Sequence, residues 1–89
     1  MKLTITTTDC KSSDGFHEAI KTAFAYSNLW ATDIVVKHGR IEAKREGYPV
    51  RFAINGFSPR NYQNLLYGTE KSHTCELTAL PIPVSSAVY

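Results

Sequence analysis

The strongest constraint on the fold is an apolar stripe between residues 14 and 30. Apolar side chains recur there at spacings of three and four, which is the period of one helix face: Phe16, Ala19, Ile20, Ala23 and Phe24. Such a helix has to bury its apolar face, so the pattern predicts a helix packed on a sheet. Ser13 and Asp14 are the candidate N-caps, and Tyr26 and Trp30 are expected to extend the buried stripe.

Five segments alternate apolar and polar residues with period two and predict β-strands: residues 2–7, 33–37, 40–46, 50–54 and 74–80. The last of these is expected to bury Cys75, Leu77 and Ala79. Between the second and third segments, His38-Gly39 predicts a tight hairpin, because glycine tolerates positive φ. Gly47-Tyr48-Pro49 is expected to turn the chain again.

A second, short helix is predicted from Ser58 to Gly68. Serine is a preferred N-cap, Pro59 fits the first helical position, and Gly68 can close the C-terminus in the left-handed conformation. The element order is then β-α-β-β-β-α-β, with an antiparallel meander sheet packed by one main helix and one short helix. With 43% hydrophobic and 20% charged residues among 89, we expect one small α+β domain over residues 1–89.

The internal α-β-β-β-α order resembles the double-stranded RNA-binding domain. That family contacts RNA through its first helix, a hairpin loop and a basic start of its second helix. Here the second helix opens Ser58-Pro59-Arg60-Asn61 with a single basic residue, and a strand precedes the first helix. No binding residue is therefore transferred from that family.

Neither end of the sequence predicts a membrane association. The N-terminus alternates with period two and lacks the apolar run of a signal peptide, and no apolar run approaches the ~20 residues of a membrane span. We expect a cytoplasmic protein. Pro81-Ile82-Pro83-Val84 is expected to run extended along a sheet edge or over the surface, because two of its residues lack amide donors.

No pattern in the sequence predicts an active site, a metal site or a cofactor. Cys10 and Cys75 are either a disulfide that closes most of the chain or two buried thiols, and a reducing compartment favours the thiols. A cysteine nucleophile would need His17, His38 or His73 beside it, in no familiar spacing. A zinc site from both cysteines with His17 and His73 lacks the usual paired ligand spacing.

Positive charge is concentrated between residues 37 and 60. Six basic residues face two acidic ones there, although the whole chain carries only +2. We predict contact with nucleic acid or an acidic protein patch through Lys37, Arg40, Lys44 and Arg45. The alternative is an ordinary solvated sheet face.

Aromatic residues cluster in the same half of the chain. Tyrosine beside arginine is the composition of interface anchors, and the candidate partner-binding residues are Tyr48, Arg51, Phe57, Arg60 and Tyr62. The alternative is that these rings cover the core and keep their polar atoms in water.

We therefore expect a non-enzymatic binding protein, monomeric or homodimeric, whose partner is a host or phage macromolecule. The favoured hypothesis is a protein-binding inhibitor or adaptor of phage or mobile-element type that occludes a host-defence complex, as anti-CRISPR proteins do. That hypothesis rests on size and architecture. The alternative is a nucleic-acid-binding domain that uses the basic hairpin over residues 37–51.

Overall fold

A computed structural model describes residues 1–82 and confirms the predicted α+β class and element order. One short helix, α1, is added between the first strand and the main helix. The elements are β1 Lys2–Thr6, α1 Thr7–Lys11, α2 Phe16–Ser27, β2 Ala31–Lys37, β3 Arg40–Arg45, β4 Tyr48–Asn55, α3 Pro59–Leu66 and β5 Ser72–Ala79.

All five strands form one antiparallel sheet in the order β1-β5-β4-β3-β2. The consecutive strands β1 and β2 therefore lie at opposite edges, and the chain between them has to cross the sheet. The 12 residues of α2 span about 18 Å, close to the ~19 Å width of five strands. The backbone of α2 accordingly approaches both edge strands, across the concave side of a curled sheet.

The core forms where α2 meets the sheet. Phe24 is fully buried and packs its ring 5.7 Å from Phe52 of β4 and 6.3 Å from Trp30. The buried side chains around it come from α1, α2, α3 and every strand except β2: Leu3, Ile5, Cys10, Ala19, Ile20, Ala23, Ile41, Ala43, Leu65, Cys75 and Leu77. This core lies on one side of the sheet. We call the opposite side the outer sheet face.

Two tight turns set the register of the meander. His38 and Gly39 join β2 to β3 with φ of 35° and 75°, as predicted for that hairpin. The β3–β4 turn is Glu46-Gly47, with φ of 52° and 85°, and the prediction of Gly47-Tyr48-Pro49 was wrong. Two positive-φ residues suffice to reverse the chain, so Tyr48 and Pro49 pair within β4 instead.

The predicted capping of the main helix was wrong. Its N-cap is Gly15 without a side-chain hydrogen bond, because the preceding residues belong to α1, where Thr6 and Asp9 form a reciprocal capping box. The hydroxyl of Ser13 donates instead to the carbonyl of Asp9 at 2.7 Å. Asp14 is exposed and caps nothing.

The main helix also ends earlier than predicted. Asn28 is buried and donates through both its backbone and its side-chain amide to the carbonyl of Phe24. Trp30 therefore lies beyond the helix, half-buried against Phe24. Tyr26 has an exposed fraction of 74%, so the prediction that it extends the buried stripe was wrong, because no further helical turn follows to hold it over the sheet.

The short helix follows its prediction. Ser58 and Asn61 form a capping box, Pro59 occupies the first turn, and Gly68 has a φ of 84°. In β5, Cys75 and Leu77 are buried as predicted, whereas Ala79 is exposed because no helix covers that end of the strand.

Two predictions concerned membranes and the C-terminal segment. Among the helices of residues 1–82, none has the length and apolar character needed to cross a bilayer. The amide of Leu80 still bonds to the carbonyl of Arg51 at 2.9 Å, so the chain continues beside β4 just past β5. Pro83 and Val84 of the predicted edge segment lie outside the described residues.

The capping box of α3 gives a stability prediction. Ser58→Ala removes the acceptor for the Asn61 amide and should lower the free energy of unfolding by about 1 kcal/mol. Urea denaturation followed by circular dichroism measures this change. Ser27→Ala, at an exposed position near the end of α2, is the matched control and should shift stability by less than ~0.5 kcal/mol. Equal effects of both substitutions would contradict a capping role.

Candidate partner-binding surface

Basic side chains from three neighbouring strands meet on the outer sheet face. Lys37 of β2, Arg40 and Lys44 of β3, and Arg51 of β4 all occupy outward positions, opposite in parity to the buried Ile41, Ala43 and Phe52. We call these four residues the basic patch. The sheet brings them together from 15 positions of sequence because the β2–β3–β4 hairpins align alternate residues of adjacent strands.

Two members of the basic patch have acidic neighbours. The Arg51 Nε atom lies 3.4 Å from Glu42 Oε2, and the Lys44 Nζ atom lies 3.6 Å from Asp33 Oδ2. The Arg51 Nε atom is buried yet makes no hydrogen bond within the described chain, so its N–H is not directed at the nearby carboxylate. The Glu42 contact therefore balances charge without satisfying the donor.

The other two members have no acidic neighbour. Lys37 and Arg40 are exposed and stand directly opposite each other beside the hairpin turn. Within residues 1–82, neither forms an ion pair. Like charges directly opposite in an antiparallel pair destabilise it. The hairpin tip is therefore a site of uncompensated positive charge.

A β-bulge shapes the surface beside the patch. The register of β2 against β3 shifts between Thr32 and Val35, and Asp33 adopts a positive φ of 52°. The bulge adjoins an open depression of about 410 Å³, with these side chains around it: Asp33, Val35, Glu42, Lys44, Pro49 and Arg51. A bulge of this kind also interrupts the pairing edge of β2, which disfavours the addition of another strand there.

The structure divides the nine predicted contact residues among separate surfaces. Four form the basic patch. Arg45 and Tyr48 lie on the other side of the sheet, where Arg45 stands 5.1 Å above the centroid of Trp30. Because β4 runs from Tyr48 to Asn55, about 25 Å of strand separates Tyr48 from Phe57. The predicted anchors therefore do not form one contiguous surface.

Phe57 and Tyr62 pack against the domain itself. Phe57 stacks on Phe16 with centroids 5.2 Å apart, and Tyr62 meets Phe16 edge-on at 6.1 Å. Both are half-buried beside the core, as the alternative interpretation of the aromatic residues proposed. Arg60, in the first turn of α3, is exposed. The most exposed tyrosines are instead Tyr67, Tyr48 and Tyr26.

His73 joins this aromatic cluster to the end of β4. Its Nε2 atom lies 2.6 Å from the Gly56 carbonyl oxygen, and its Nδ1 atom lies 3.7 Å from Glu70 Oε2. The side-chain amide of Asn64 donates to the other oxygen of Glu70 at 3.4 Å. These bonds fix the loop after β4 to the start of β5, so His73 serves the fold.

Neither cysteine is placed for nucleophilic chemistry. Both thiols are free and buried, and burial raises the pKa of Cys10 and of Cys75 above the ordinary value of 9.0. The Cys75 thiol donates to the Leu3 carbonyl at 3.4 Å. A raised pKa reduces the thiolate fraction, which is the reactive form.

The zinc alternative gains no support from the geometry. Among residues 1–82, no three His, Cys, Asp or Glu side chains come together in a metal-binding arrangement. His17 is exposed beside the Phe16 ring, whereas Cys10 lies in the core.

Comparison with protein-family models, curated proteins and solved structures found no significant match. The functional argument therefore rests on the surfaces of this chain alone.

The buried thiols give a reactivity prediction. The native protein should react only slowly with a thiol reagent such as DTNB at pH 8, and both thiols should react rapidly in denaturant. The folded pKa values are raised, so the cysteine contribution to stability is present below pH 9.0 and is lost as pH rises further. A Cys10→Ala, Cys75→Ala variant should lack that part of the alkaline destabilisation. Rapid labelling of the native protein would contradict the burial.

Proposed function

We propose that this protein is a non-enzymatic protein-binding inhibitor or adaptor that uses the basic patch of its outer sheet face to cover an acidic surface of its partner. The observation that carries the proposal is the uncompensated pair Lys37 and Arg40 at the hairpin tip. Their mutual repulsion disfavours the free protein, and a carboxylate placed between them would relieve it.

A protein partner fits this surface better than nucleic acid does. Asp33 and Glu42 interleave with Lys44 and Arg51, and these carboxylates would repel a run of phosphates. None of the outward positions on the five described strands holds an aromatic side chain, so bases find no stacking platform there. A surface of mixed sign instead suits a protein surface with the opposite arrangement of charges.

The mode of action follows from the size of the domain. A flat, exposed sheet face offers contact area without an enclosed ligand cavity, so binding would act by occluding what the partner's acidic surface normally contacts. The proposed setting is the cytoplasm, and the proposed partner is a host-defence complex, with anti-CRISPR action as one form. Small size and architecture support that setting.

The opposed charges allow a test in which stability and binding change in opposite directions. Lys37→Glu replaces a repulsive pair with an attractive one, so it should raise the free energy of unfolding by roughly 0.2–1 kcal/mol. The same substitution should weaken binding of the partner about tenfold or more, equivalent to about 1.4 kcal/mol. Urea denaturation measures the first effect. Quantitative affinity capture from host lysate, followed by calorimetry with the captured partner, measures the second.

The control is Lys71→Glu, which makes the same charge change at an exposed lysine after α3, and it should retain the partner. Equal retention by wild type and Lys37→Glu would refute the proposed surface. Fluorescence anisotropy with labelled RNA and DNA at low salt tests the alternative. Binding that is lost on Lys37→Glu and falls steeply with added salt would replace the protein partner with nucleic acid.

A further inference from the structure

The solvent-facing side of α2 is a second surface with no role in the proposed binding. Opposite the buried stripe lies an open groove of about 390 Å³, lined by Glu18, Lys21, Thr22, Ala25, Tyr26 and Leu29. The exposed fractions of Tyr26 and Leu29 are 74% and 86%. Two large apolar side chains that share one groove, rather than standing apart, indicate an interaction surface.

The order of residues along this groove is complementary to its own reverse. Small residues, Thr22 and Ala25, occupy its middle, and the ends carry Glu18 and Leu29. A two-fold axis passing between positions 22 and 25 would place each small residue against the other type on a second antiparallel copy of α2. Small side chains at the crossing point let two helices approach closely.

The same axis places Lys21 against Tyr26 twice. An ammonium group over a tyrosine ring is an attractive contact, and two-fold symmetry doubles it. Within the described chain, Lys21 and Glu18 take part in no ion pair, so both charges are free for an intermolecular contact. Glu18 would approach the Leu29 end of the second copy, next to which Arg45 lies over Trp30.

We propose that this groove docks a second copy of the same chain, forming a homodimer through antiparallel α2 helices. Two 12-residue helices offer an interface near the lower limit of roughly 1,200 Å² for specific complexes. The dimer should accordingly dissociate in the micromolar range. The α2 groove and the outer sheet face lie on opposite sides of the domain, so the dimer would present two basic patches and bind a repeated partner bivalently.

Sedimentation velocity over a micromolar to millimolar concentration series tests the dimer, without any need for the partner of the basic patch. Wild type should convert from monomer to dimer. Tyr26→Ser should weaken association roughly tenfold, and Ala25→Glu should abolish it by placing a carboxylate at the crossing point. Tyr67→Ser is the matched control, because Tyr67 on the far side of α3 is 76% exposed, and it should dimerise like wild type.

Cross-linking tests the helix orientation directly. A mixture of Thr22→Cys and Ala25→Cys chains should form an intermolecular disulfide under mild oxidation, whereas Tyr67→Cys and wild type, whose own thiols are buried, should not. Circular dichroism verifies that each variant folds. A monomer at every concentration, or a dimer unaffected by Tyr26→Ser and Ala25→Glu, would overturn the proposal. Failure of the Lys37→Glu binding test would leave it standing.

Discussion

The burial of the apolar stripe of α2 is the interaction on which the rest of the structure depends. Consecutive strands β1 and β2 occupy opposite edges of the sheet, and α2 is the segment that connects them across it. Phe24 sits under this crossing, in contact with both Phe52 and Trp30. Without this helix the inner side of the sheet would lie open to water, and five strands alone would have no second layer to pack against.

One consequence of this packing is that the two sides of the domain have different chemistry. The three helices serve the inner side, where α1 and α3 pack beside α2. The outer sheet face has no covering layer, so its alternate residues are free to carry charge at little cost. The opposed Lys37 and Arg40 have no structural benefit for the hairpin, which is why we assign them to binding.

The helix itself has two functional sides. Its inner stripe holds the sheet, while its outer groove presents Tyr26 and Leu29 to solvent. The sequence pattern predicted a pure scaffold helix, because an amphipathic period reports only which side is buried. The available signal was Leu29, a large apolar residue that falls outside the buried stripe.

The sequence by itself determined the element types, their order and two of the turns. Local chemistry explains this success: the period of the apolar residues, the Ser58-Pro59 helix start and the positive φ tolerated by Gly39 all act within a few residues. The same locality explains the errors at Gly47-Tyr48-Pro49 and at the N-cap of α2. Hairpin register decided the first, and the competing α1 capping box decided the second.

Only the tertiary structure decided which candidate residues share a surface. The composition of residues 48–62 predicted one patch of aromatic and basic anchors, but the length of β4 separates Tyr48 from Phe57. Strand pleating then places Arg45 on the inner side and Lys44 on the outer side, one residue apart. Charge density could be read from the sequence, whereas the basic patch depends on the pairing of three strands, a long-range property that no local pattern encodes.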